Sequence, residues 1–113
     1  MLTPDLDIDG WCLDCGEVRH ADAPETFWIP DVSVREGLRP GDLAKLIFTF
    51  RTSEIDEPVV TERMWVIVRE RTTFGYSGAL DNDPYSPAQN EAFRSGLMVP
   101  FEPRHVIDAM PGA

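Results

Sequence analysis

The stretch from Glu62 to Pro84, ERMWVIVRERTTFGYSGALDNDP, constrains the fold more than any other part of the chain. Met64, Val66 and Val68 alternate with Trp65, Ile67 and Arg69. One face of an extended segment is therefore wholly apolar, and the other carries a Trp and an Ile. Thr72-Thr73-Phe74-Gly75 breaks the run with a glycine able to take a positive φ. Tyr76 to Leu80 then returns as a strand, and Asp81-Asn82-Asp83-Pro84 stops it. A hairpin with one apolar side must bury that side, so a β core is expected to be seeded here.

The rest of the chain adds short strands between turns. In Leu43 to Arg51, Ala44, Leu46, Phe48 and Phe50 share one face. Lys45, Thr49 and Arg51 lie on the other, with Leu43 and Ile47. Arg39-Pro40-Gly41-Asp42 before it is a turn. Val59 to Thr61 opens the strand that continues to 69. Thr26 to Pro30 reads as a short strand closed by Pro30, and Leu97 to Phe101 as an edge or bulged strand because Pro100 cannot donate. Ser33, with Glu36 three residues on, has the form of a capping box and predicts one helical turn over 34–38. Ser86-Pro87 predicts a short helix over 88–94. Pro103 to Met110 is expected as a last helical turn or a docking strand. The sum is mainly β: a small, strongly bent antiparallel sheet or partly open barrel of five or six strands, with one or two short helices.

A chain of 113 residues suits one domain. The division expected is an acidic tail over 1–25, bearing a Cys knuckle, and one β-rich domain over 26–113. Residues 1–10 read as a flexible lead-in, or as an edge strand in which Leu6 and Ile8 alternate with Asp. They show no basic region followed by an apolar one, so no signal peptide is expected. No apolar run approaches the ~20 residues of a membrane span. Two Cys without an export signal suggest reduced thiols in a cytoplasm.

Charge narrows the partners. Twenty acids against ten bases give −10, and the first 25 residues hold seven of the acids with one base, Arg19. Binding to nucleic acid rests on neutralising phosphates, which this chain would repel. The same field attracts a basic protein or a cation.

Two clusters carry candidate chemistry. Cys12-x-x-Cys15 has the spacing of half a zinc site, and His20 follows five residues on. His105, Asp14 or a partner chain would supply the fourth ligand. The alternatives are two unliganded thiols, or a redox pair, which would need a buried strand before it and a helix after it. Neither is expected from Met1–Gly10 or from the residues following Gly16. Asp81-Asn82-Asp83 offers oxygens for Ca²⁺ or Mg²⁺, but Ser86 and Ala92 stand where an EF-hand needs Gly and Glu. Such side chains also end strands by accepting from nearby backbone N–H groups. Trp28, Trp65, Tyr76 and Tyr85 could make an aromatic platform or fill the core. If the outer sheet face is open, Trp65 with Ile67 and Ile47 makes an apolar patch fit for a partner. No GxSxG, P-loop, GxGxxG or HExxH is present, and Ser77 and Ser95 have no identifiable His partner, so no enzyme is expected.

In order along the chain, TFWIP, LRPGDLAKLIF, ERMWVIV, GALDNDP and FEPRHVID resemble the YegJ-like family of small bacterial domains, over roughly residues 26–108. One departure is Ser95-Gly96-Leu97, where family members tend to carry a Gly-Asp turn. The Cys knuckle lies outside the family pattern. The resemblance brings no catalytic residues. Relatives among immunity proteins of toxin systems imply a non-catalytic, protein-binding domain of a bacterial cytoplasm. Trp65, Ile67, Asp81 and Asp83 are then the expected contacts for a basic partner. The alternatives are a zinc-binding structural module, or a small-molecule-binding or hydrolytic domain using the Asp81–Asp83 loop.

Overall fold

The computed structural model describes residues 3–112. The expected hairpin forms. β3 (Val59–Arg71) and β4 (Tyr76–Leu80) pair antiparallel, with Val66 opposite Leu80 and Val68 opposite Gly78. A bulge between Val68 and Glu70 shifts the register and increases the local bend. The turn closes through the Thr72 N–H on the Gly75 carbonyl at 2.8 Å. Gly75 is not needed for a positive φ, which falls instead at Gly10, Gly41 and Gly96. It is needed for space, because a Cβ there would collide with the Phe101 carbonyl oxygen.

β2 (Leu43–Arg51) pairs along its whole length with β3, from Leu43 opposite Ile67 to Arg51 opposite Val59. Its other edge is shared. β1 (Trp11–Leu13) takes Phe48–Phe50, and β6 (Asp108–Met110) takes Leu43–Lys45. β5 (Met98–Phe101) pairs with β4. The six strands make one antiparallel sheet curled into a half-barrel. The inner face packs Ala44, Leu46, Phe48 and Phe50 against Met64, Val66, Val68, Tyr76, Leu80, Val99 and Phe101. Phe93 fills the remaining space, with its ring 4.8 Å from Phe50 and 5.4 Å from Trp11.

Several local expectations give way. Residues 6–9 form neither a lead-in nor a strand but α1 (Leu6–Asp9), because the Asp5 side chain accepts from the Asp7 and Ile8 N–H groups and Gly10 closes the turn at φ 80. The stretch expected as a tail enters the sheet through β1 and buries Trp11. A helix does follow the Cys pair: α2 (Gly16–Asp22), with Cys15 at its N-cap. The 26–30 segment is irregular, and the short helix after it, α3 (Val32–Glu36), starts from Asp31 and not Ser33. No helix forms over 88–94. There Ala88 bridges to Thr52, the Asn90 side chain takes the Ala92 N–H, and Phe93 is drawn into the core. Pro103 to Met110 divides between both expectations, a 3-10 turn over Pro103–His105 and then β6. Among the described residues no helix is long and apolar enough to cross a membrane.

Tyr76 fixes α3 to the barrel. Its buried hydroxyl donates to the Arg35 carbonyl at 2.8 Å and accepts from the Leu38 N–H at 3.1 Å. Tyr76→Phe leaves both groups unpaired, so equilibrium denaturation should show a loss of about 1–3 kcal/mol.

Candidate functional site

The strand pairing sorts side chains onto two faces, since directly paired residues point the same way. Met110, Leu43, Ile67, Ala79 and Met98 are register partners across β6, β2, β3, β4 and β5. They form one apolar row on the outer face, the face opposite the core. Leu43, Ile67 and Ala79 are half-buried, whereas Met98 and Met110 are 49% and 50% exposed. In the next row Asp108 pairs with Lys45 and Lys45 with Trp65. The Lys45 ammonium lies over the Trp65 ring, 5.5 Å from its centroid.

The expected patch is thus present in part. Trp65 and Ile67 face outward and are half-exposed, but Ile47 is only 1% exposed. Its register partner Arg63 lies against Phe27, and the Ile47 carbonyl accepts from the Asp14 N–H, so that end of the face is roofed. Gly16, at the start of α2, has no room for a side chain: a Cβ would sit 2.9 Å from Ile107 and 3.3 Å from the Arg104 carbonyl oxygen.

Asp81 and Asp83 are exposed at the end of β4. Asp83 accepts from the Ser95 N–H at 3.0 Å, and Asn82 from the Trp65 N–H at 3.0 Å. These bonds terminate the strand and hold the loop against β3. A groove of about 370 Å³ adjoins it, lined by Asp83, Ser86, Asn90 and Arg94 among others.

The thiols take separate partners. Cys12 stands on β1 opposite Thr49, and the Cys15 thiol donates to the Arg104 carbonyl at 3.7 Å. His20 donates from Nδ1 to the Phe27 carbonyl at 2.6 Å. Among the described residues no three His, Cys, Asp or Glu side chains converge on a metal-sized site, so the structure does not bring Cys12, Cys15 and His20 together as a trio. Burial, then the charges of Asp14 and Asp5, push the Cys12 thiol above its ordinary pKa. His105 is buried in the 3-10 turn, where Nδ1 accepts from the Glu102 N–H at 2.9 Å. Burial and then the Arg104 charge, against the opposing pull of Glu102 and Glu17, lower its pKa to about 4.

Sequence reasoning found Trp65 and Ile67 but missed Leu43, Ala79, Met98 and Met110 as members of the row. Each stood at an outer position, but only the register aligns them. Fold and surface together define a curled antiparallel half-barrel with an apolar stripe on its convex side. Comparison of the chain with family models, curated proteins and solved structures gave no match.

Two measurements check the electrostatics. In a Cys15→Ser background, Cys12 should alkylate at pH 8 more slowly than an unfolded cysteine, and faster as pH rises through its raised pKa. His105 stays neutral in the fold well below the pH at which the unfolded chain protonates it. Its contribution to stability is therefore whole above pH ~6.5 and is lost progressively as pH falls toward 4. Relative to His105→Gln, the native chain should lose about 3 kcal/mol over that interval.

Proposed function

We propose that this chain is a non-catalytic protein-binding domain that docks a basic partner on its outer sheet face. The observation that carries this reading is the five-strand apolar row, whose two ends are the half-exposed side chains of Met98 and Met110. Acids stand around it: Asp108 beside Lys45, and Asp81 and Asp83 beyond Trp65. With a chain charge of −10, the surface suits an apolar ridge flanked by Lys and Arg. An immunity-like role, with a basic toxin domain as the partner, is supported by the resemblance over residues 26–108 together with this charge.

A photo-crosslinking residue in place of Met98, used in cells of the source organism, should capture a protein of pI above about 9. The same residue in place of Ser53, in the exposed loop after β2, should not. With the captured protein purified, Met98→Asp plus Met110→Asp should weaken binding at least ~10-fold, about 1.4 kcal/mol. Binding should also weaken as salt rises. Equal capture from both positions, an acidic captured protein, or unchanged affinity in the double variant would overturn the reading.

A further inference from the structure

The roofed end of the same face holds a small slot that the docking row does not use. Its cavity is about 200 Å³. Phe27 and Trp28 stand on one side, Lys45 and Arg63 rise from the sheet, and Ile107 and Asp108 complete the lining. We propose that this slot binds a small anionic group, a carboxylate or a phosphate, carried on a planar ring that stacks on Trp28.

Arg19, Arg35, Arg51 and Arg104 are each ion-paired with a carboxylate of this chain. Among the described residues the other six bases, Arg39, Lys45, Arg63, Arg69, Arg71 and Arg94, make no ion pair, and of these only Lys45 and Arg63 line this slot. Asp108, the register partner of Lys45 and the one carboxylate in the lining, makes no ion pair with it; its Oδ1 accepts the Ala109 N–H at 2.8 Å. Each cation is laid over an aromatic ring: Lys45 over Trp65 at 5.5 Å, and Arg63 over Phe27 at 5.2 Å. A ring orients a cation without neutralising it, so both charges stay available to an anion.

The backbone that carries the aromatic side is anchored too. Trp28 is 70% exposed, although its backbone is anchored on both sides. The Phe27 N–H bonds the Ala23 carbonyl at 2.8 Å, the Phe27 carbonyl takes His20, and the Pro30 carbonyl takes the Arg35 Nε–H at 2.8 Å. An exposed indole on an anchored backbone, beside two unpaired cations, offers stacking and charge to one ligand. The slot is smaller than the ~300 Å³ at which drug-sized pockets begin, which limits it to one ring and its anionic group. The acidic field of the rest of the chain repels an extended polyanion but not a single small one.

The test is a titration of the full ¹⁵N-labelled chain, followed by amide and indole shifts, with phenyl phosphate, benzoate, inorganic phosphate and benzyl alcohol. Phenyl phosphate and benzoate should shift the Trp28 indole and the Lys45 and Arg63 amides. Inorganic phosphate should act at Lys45 and Arg63 more weakly, and neutral benzyl alcohol should do nothing. Lys45→Gln with Arg63→Gln should weaken phenyl phosphate at least tenfold, while Arg94→Gln, an exposed cation elsewhere, leaves it unchanged. Trp28→Ala should bring phenyl phosphate down to the level of inorganic phosphate. A spectrum that otherwise overlays the native one shows that each variant is folded. Absent shifts, equal response to benzyl alcohol, or binding kept by the double variant would overturn the site. Phosphate binding as tight as phenyl phosphate would overturn the part given to the ring. None of these outcomes depends on a protein partner, so the slot stands or falls apart from the docking row.

Discussion

The whole architecture depends on β2 being hydrogen-bonded along both edges. One edge is given entirely to β3, in an unbroken run from Leu43 to Arg51. The other is shared by the two ends of the chain, β1 against its last part and β6 against its first. Both faces are also covered at the middle, where Leu46 and Phe48 point into the core and Ile47 on the outer face is 1% exposed. A central strand without a free edge needs partners that are far apart in sequence. The half-barrel is therefore complete only when residues 11–13 and 108–110 have both arrived. Pairings of such long range make folding slow relative to local hairpins. The edge strand β5 carries Pro100, which cannot donate to a foreign strand.

Most of the sheet was legible because period two survives wherever one face is buried and the strand is long. β2, β3 and β4 came out nearly to the residue, and Pro100 marked β5 as an edge. What escaped was short or decided from a distance. β1 has three residues, too few to show alternation, and sits between acids that read as a solvated tail. The capping geometry of Asp5 and Gly10 overrode the apparent alternation of Leu6 and Ile8. The Ser-Pro signal before 88–94 is a sound local helix start, but Phe93 gains more by filling the space between Trp11 and Phe50. Functional candidates follow the same division. Trp65 and Ile67 could be placed outward by parity alone, whereas the pairing of Lys45 and Arg63 with Phe27 and Trp28 required the path of an irregular segment.

The outer face also bears on why the apolar row is not simply leftover hydrophobicity. An antiparallel sheet with one face in water usually reads apolar inside and polar outside. Here the outer positions Thr49, Thr61, Arg63 and Ser77 obey that rule. Ile47, Trp65 and Val59 depart from it singly, whereas the other exceptions fall together. Leu43, Ile67, Ala79, Met98 and Met110 come from five strands spread over the chain, yet they fall in one register line. Isolated exposed apolar residues need no explanation, but a line of outward apolar side chains across five strands is a different matter. The core does not require it, because inner-face packing is complete without these side chains. Nor does strand propensity, which Thr or Tyr would satisfy at the same positions. The alignment supports the proposed docking of a partner, and the Phe27 roof lies toward the other end of the face, against Arg63. β2–β3 pairing thus sets both the core and the two unlike halves of the outer face, with Lys45 and Trp65 at their boundary.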